Sequence, residues 1–279
     1  MDRSISTCQN CGKDFVGKYC SHCGEKIYRD EDKKISHFFH ETIHFITHLD
    51  SKFFKTGWVI LSQPGRLSKD YCEGKRKKYY KPVSFFLICI ILYLLFPLVQ
   101  GMNLPFKTHL TNFRDLGIDF PRSWALNIMR HRRVNEQLLA QRFDHLSPQI
   151  SKGLLLLLIP MTALVLALLF KNKRRYFFDH FVLATEFNIF YLVFIFFFIP
   201  LAARLLAALF NLDLNNNDAL SVLIPGLLIV FGVLFVAFKR FYLTGAAEGV
   251  LKTILFFPGY FVVIFLYRII LFSSVMIAL

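Results

Sequence analysis

The chain has 279 residues, 55% of them hydrophobic, with 33 Phe and a formal net charge of +14. Apolar residues gathered into long uninterrupted runs exclude a single soluble domain. The basic excess flanks those runs, where each cation meets anionic lipid for about 1 kcal/mol, so charge alone gives no reason to invoke nucleic acid.

The chain opens on Cys8, Cys11, Cys20 and Cys23, a C-x₂-C-x₈-C-x₂-C array built from two knuckles, Cys-Gln-Asn-Cys-Gly and Cys-Ser-His-Cys-Gly. Gly12 and Gly24 follow the second cysteine of each pair and tolerate the positive φ that such a tight turn needs. Four sulfurs in two knuckles are the tetrahedral set of a closed structural Zn²⁺ site. The residues between the knuckles suffice for a short hairpin and not for a core. Metal binding then supplies most of the folding free energy, roughly 10–16 kcal/mol in comparable peptides. Two disulfides would need an oxidising compartment, which the topology below argues against. We therefore expect a Cys₄ zinc ribbon over residues 1–30, closed and not itself catalytic. The polar start, Met-Asp-Arg-Ser, is unlike a cleavable signal peptide.

Residues 31–81 are expected to form an amphipathic helix and a basic interfacial segment. Ile35, Phe38, Phe39, Ile43, Ile46, Leu49 and Phe53 recur at helical spacing. Beside that stripe, His40-Glu41-Thr42-Ile43-His44 is a formal H-E-x-x-H, which on a helix would aim two imidazoles at one metal with Glu41 as general base. His48 offers a third ligand one turn on. The alternatives are a His-rich polar face that matches a loose pattern, or a proton sensor. No downstream helix offers a dedicated further ligand. Pro64-Gly65 marks a turn. Gly74-Lys75-Arg76-Lys77-Lys78 is a basic run in which Lys75 and Arg76 are expected to meet lipid or a phosphate. Tyr71, Tyr79 and Tyr80 are expected at headgroup level. The run lacks the upstream glycine and the Ser/Thr of a Walker loop.

The ribbon followed by P-G-x₅-Y-x₂-G-K-R-x₂-Y-x₂-P resembles a family of uncharacterised bacterial zinc-ribbon membrane proteins, the domain of unknown function thirty-six sixty-seven. The matching residues are Pro64, Gly65, Tyr71, Gly74, Lys75, Arg76, Tyr79 and Pro82. The stretch from Phe178 to Phe187 is similar to that family's later His-containing segment, with Glu186 where the family often has a second histidine. The resemblance implies a multi-span inner-membrane protein and no particular activity.

Five stretches approach the roughly 20 apolar residues that cross a bilayer, near Pro82–Gly101, Gly153–Phe170, Phe181–Ala203, Leu220–Phe238 and Thr253–Phe272. The expected fold is thus an all-α integral membrane protein, with five transmembrane helices over residues 82–279 and a small N-terminal zinc ribbon. Residues 1–81 hold 16 Lys/Arg against 10 Asp/Glu, and the connection 171–180 holds four basic residues. This bias puts the N-terminus in the cytoplasm and the C-terminus outside, in a bacterial inner membrane. Segment 102–152, with eight basic and four acidic residues, is then external. Its loose stripe of Trp124, Ile128, Val134, Leu138 and Leu139 suits a helix lying on the outer surface.

Ionisable groups within the spans are candidate functional sites. His180 and Glu186 lie toward the cytoplasmic end of the third span, and Arg204 and Arg268 toward outer ends. The structural expectation is that the arginines snorkel and Glu186 pairs with Arg240. Every strong motif here is structural or interfacial. We therefore expect a scaffold or interaction module that docks a cytoplasmic protein partner. The alternatives are a small transporter or channel using His180, Glu186 and Arg268, and an H-E-x-x-H metalloprotease.

Overall fold

The computed structural model describes residues 5–26, 51–95, 102–173, 176–210 and 219–279. His40, Glu41, His44 and His48, with most of the expected 35–55 helix, lie outside the described residues.

At the N-terminus β1 (Ile5–Thr7) pairs antiparallel with β2 (Asp14–Val16), Ile5 opposite Val16 and Thr7 opposite Asp14. The Thr7 hydroxyl donates to Asp14 at 2.7 Å and pins that register. The hairpin therefore encloses the first cysteine knuckle rather than lying between the two.

Helices α1 (Ser51–Ser62) and α2 (Arg66–Cys72) and a 3₁₀ turn (Arg76–Lys78) lead to α3 (Pro82–Leu95). Proline at the start of α3 costs no helical hydrogen bond, because first-turn N–H groups have no helical acceptor. Then come α4 (Phe106–Asp115), α5 (Phe120–Arg132) and α6 (Glu136–Leu154), and a 3₁₀ turn joins α6 to α7 (Leu158–Leu169). Helix α8 (Phe177–Phe190) passes through a π-helical stretch (Tyr191–Phe198) into α9 (Ile199–Phe210). The described chain ends with α10 (Ala219–Tyr242) and α11 (Ala246–Ala278).

Among the described residues five helical stretches are long and apolar enough to cross a membrane: Arg76–Leu95, Glu136–Leu169, Phe177–Ala202, Pro225–Tyr242 and Ala246–Ala278. Each overlaps an expected span, so the fold class is as read from the sequence. The second is much longer than expected. Segment 102–152 is not one surface helix but three, and the third continues into the crossing. Asn135 starts that helix by accepting the Leu138 N–H at 2.8 Å. Of the expected stripe, Leu138 is exposed and Leu139 buried. The face that packs is instead Phe106, His109 and Phe113 of α4 with Phe143 of α6, gathered around Phe272 of α11. Rings at those separations contribute more than their buried area alone.

Helix α8 is the centre of the bundle, and every residue from Phe178 to Phe190 is buried. A helix covered on all sides needs no apolar stripe. It can therefore carry Asp179, His180, Thr185, Glu186 and Asn188 away from lipid.

His109 gives this packing a pH dependence. Its Nε2 is buried and finds no hydrogen-bond partner among the described residues. Burial, and then the charge of Arg268, lower its pKa to about 4. Unfolding returns it to about 6.5. Between those values the unfolded chain binds the extra proton, so stability is full above the window and is lost as pH falls through it. The loss should level off at about 3 kcal/mol. Thermal unfolding in detergent from about pH 7 to about pH 4 should show this slope, and His109→Phe should flatten it.

Candidate metal centre and its membrane seat

The four cysteine sulfurs lie within 4.8 Å of one another and form a candidate metal site. Cys8 and Cys23 are 3.5 Å apart, and Cys11 and Cys20 3.6 Å. One ion with four tetrahedral sulfurs at 2.3 Å would hold them about 3.8 Å apart, so the cluster has the size such an ion needs. The separations are far from a disulfide at about 2.0 Å, and none of the six cysteines is in a disulfide.

The backbone builds the two halves alike. Cys8 N–H donates to the Lys13 carbonyl at 2.9 Å and Gly12 N–H to the Cys8 carbonyl at 2.8 Å; Cys20 N–H donates to Glu25 and Gly24 N–H to Cys20, both at 2.7 Å. Gly12 and Gly24 take φ of 74° and 66°, as the knuckles require.

The sulfurs also have the electrostatics of a cation site. The Asn10 side chain and then a backbone N–H lower Cys23 to about 6. Backbone N–H groups lower Cys20 as well. At Cys11 a backbone N–H acts the same way, but desolvation and the neighbouring sulfurs outweigh it and push the thiol up to about 12. Sulfurs this close cannot all ionise cheaply unless a cation sits among them.

The ribbon rests on the basic run. Glu25 accepts the Lys77 N–H at 2.9 Å, and Lys77 Nζ donates to the Cys23 carbonyl at 3.0 Å. A side chain at Gly24 would run into the Lys77 ammonium. Asp70, which the sequence reading did not weigh, collects most of what remains. It accepts from Tyr79 Oη at 2.5 Å and Lys78 Nζ at 3.2 Å, with Lys75 Nζ at 3.8 Å. Burial pushes the Asp70 carboxyl up, but those hydrogen bonds and charges prevail and hold it below its ordinary value. Arg76 is buried, donates through Nε to the Tyr71 carbonyl at 3.0 Å, and lies 4.9 Å from the Tyr71 ring centre and 5.2 Å from that of Phe178.

These contacts give the expected interfacial residues partners within the chain. Tyr71, Tyr79 and Tyr80 are buried in protein. The cations of the run face Asp70, Glu73, Tyr71 and the ribbon. The physical reason is that internal carboxylates and carbonyls lie within reach of every one of them.

Glu186 joins this seat to the bundle. Its carboxylate accepts the N–H of Gly65 at 2.7 Å and of Ser68 at 2.8 Å, and also the Ser68 hydroxyl. It thus caps the first turn of α2, whose N–H groups have no helical acceptor. The expected direct pair with Arg240 does not form. Arg240 Nη1 donates instead to the Pro64 carbonyl at 2.5 Å, beside the capped turn. Gly65 has φ of 77°, and a Cβ there would lie 2.8 Å from the Ala237 backbone of α10. Only glycine fits that approach.

The other intramembrane candidates do not converge. His180 Nδ1 is hydrogen-bonded to Tyr242 Oη at 2.8 Å, and Phe170 stacks on the same Tyr242 ring at 3.8 Å. Arg204 is exposed on α9. Arg268 is half-buried toward the far end of α11 and lines a cavity with Tyr191 and Tyr260. A search for ionisable residues missed Asn188. Its amide donates to Thr162 at 3.2 Å and the Ala184 carbonyl at 2.8 Å, and accepts from Tyr260 at 3.2 Å. A lone amide in an apolar run was the available signal.

Residues 50–94 match the model of a family described as "Protein of unknown function (DUF3667)". No curated protein and no solved structure matches the chain. The DUF3667 segment holds α1, α2, the basic turn and α3, so it supplies one side of each contact made with Glu186 and with the ribbon.

Two outcomes test this seat. Glu186→Ala should leave two buried N–H groups without an acceptor and cost at least about 3 kcal/mol, whereas Glu186→Gln should cost less; thermal unfolding of the detergent-solubilised protein reads the difference. Removing the metal by chelation or by Cys20→Ser should release the ribbon from the DUF3667 segment. Limited trypsin digestion should then cut after Lys77, a bond that stays protected in the metal-loaded protein.

Proposed function

We propose that this protein is a membrane scaffold. Its zinc-loaded ribbon sits at a fixed place on the cytoplasmic face of a bacterial inner membrane and presents a strand surface to a protein partner. The observation that carries this reading is that, among the described residues, the ribbon is docked on one side and exposes its hairpin on the other. Lys77 and Glu25 tie it to the first crossing. On the hairpin, the cross-strand pair Ile5 and Val16 is 73% and 56% exposed. Isolated exposed apolar residues are ordinary, but a facing pair on so small a unit, with exposed Tyr19 nearby, has the character of an interface core.

Zinc is the metal of choice for four thiolates held in a tetrahedron, and such a closed set leaves no open position for catalysis. Cytoplasmic placement is supported by the basic residues near the ribbon-side helix ends, among them Lys173, Lys239 and Arg240. A reducing compartment keeps the thiols available to metal. In this reading residues 1–30 are the ribbon, residues 31–81 its coupling to the bilayer, and residues 82–279 the platform.

A photo-crosslinking amino acid at Val16 in living cells tests the reading. The expected result is one discrete protein adduct that disappears in Cys20→Ser while membrane insertion is unchanged. The same adduct from the metal-free variant, or none from Val16, would overturn it.

A further inference from the structure

An apolar cavity in the membrane part lies between α8 with its π-helical extension, the start of α9, α10 and α11. It has a volume of about 780 Å³, within the range of ligand sites. Along α11 its wall is Arg268, Ile264, Phe261 and Phe257. Those positions recur at intervals of three and four, so they form one helical stripe. The stripe runs from Phe257 to Arg268, eleven residues, which is about 17 Å at 1.5 Å per residue. That is close to the depth of one leaflet, about 15 Å, half of a 30 Å hydrocarbon core.

The cavity opens sideways. Two of its lining residues, Leu227 and Phe261, are 47% and 62% exposed on the surface that faces lipid. Its two ends differ in chemistry. The inner end is closed by Phe187, Leu234 and Phe256, all buried. The outer end carries the guanidinium of Arg268, and no Asp or Glu is among the lining residues. Arg268 lies 22 residues along α11 from Ala246, about 33 Å, on the side of the bundle away from the ribbon. A groove one leaflet deep, open to acyl chains and cationic where it reaches the headgroups, has the shape and charge of a phospholipid.

We propose that this groove binds a phospholipid of the surrounding bilayer with an anionic headgroup, one acyl chain running along the α11 stripe and the headgroup phosphate at Arg268. Arginine suits this role because its planar fork pairs with phosphate oxygens two at a time. The site is independent of the ribbon and of what the ribbon docks.

The test uses the full chain in a neutral maltoside detergent, stripped of lipid. It is titrated with dioleoyl phosphatidylglycerol, dioleoyl phosphatidylcholine, or glycerol phosphate as a free headgroup, and bound molecules are counted by native mass spectrometry. The native chain should retain one phosphatidylglycerol at least tenfold more tightly than phosphatidylcholine and should not retain glycerol phosphate. Arg268→Gln should abolish the preference and Arg268→Lys should keep most of it. Leu227→Trp, which blocks the mouth and leaves the charge in place, should abolish retention of both lipids. Equal retention of the two lipids by the native chain would overturn the proposal. So would an unchanged preference in Arg268→Gln, undiminished retention in Leu227→Trp, or tight binding of the free headgroup. Gel filtration and metal content confirm that each variant is folded, and the Leu227 arm decides alone if Arg268→Gln is not.

Discussion

A buried carboxylate in the third crossing, Glu186, organises the ribbon-side face of this protein. Taking a carboxylate out of water is costly unless its oxygens are satisfied. Here they are met by two backbone N–H groups and a hydroxyl from one short helix more than a hundred residues earlier. Each party is unfavourable alone: α2 has too few residues to hold its own shape, and Glu186 sits where no water reaches it. Together they fix the chain entering the membrane to the helix at the bundle's centre. Arg240 on the Pro64 carbonyl and Ala237 against Gly65 close the same turn from α10. Three separate parts of the sequence therefore meet at one turn.

Asp70 is the second organiser, and it changes the meaning of the basic run. Four consecutive cations, Lys75 to Lys78, would repel one another on a bare surface. Partners divide them: Asp70 faces Lys75 and Lys78, Tyr71 and Phe178 hold Arg76, and the ribbon takes Lys77. The run that composition presents as a lipid anchor also joins two parts of one chain. The joint is directional as well, since Lys77 reads the carbonyl of Cys23, a residue of the candidate metal site. The geometry of the second knuckle and the position of the first crossing are thus linked through one side chain.

The sequence made the crossings and the cysteine site legible because both signals are local. Twenty apolar residues, or two cysteines three apart, say what they are wherever they lie. The long-range partnerships were not legible. Nothing near Glu186 points to Ser68, and helix caps are normally sought within a few residues of the turn they close. An aromatic beside a span suggests the headgroup region, and nothing local shows that Tyr79 donates to Asp70. In segment 102–152 the stripe of Trp124 and Leu138 was followed, whereas Phe106, Phe113 and Phe143 meet only because α4 and α6 fold against α11. Asn188 escaped because it is uncharged, although an amide in hydrocarbon needs partners for the same reason that a charge does.

The complete burial of α8 has a consequence for the order of assembly. A helix that never faces lipid in the finished fold must still enter the bilayer, and it leaves the ribosome before α10 and α11 exist. Its polar residues differ in how long they wait. The acceptor oxygens of Glu186 find Gly65 and Ser68 already synthesised, so this charge is shielded as soon as the helix arrives. Asn188 has Thr162 behind it but must wait 72 residues for the hydroxyl of Tyr260. The third crossing therefore enters with its most expensive group already provided for and its cheaper one still open. The last helix completes the core from the inside as it closes.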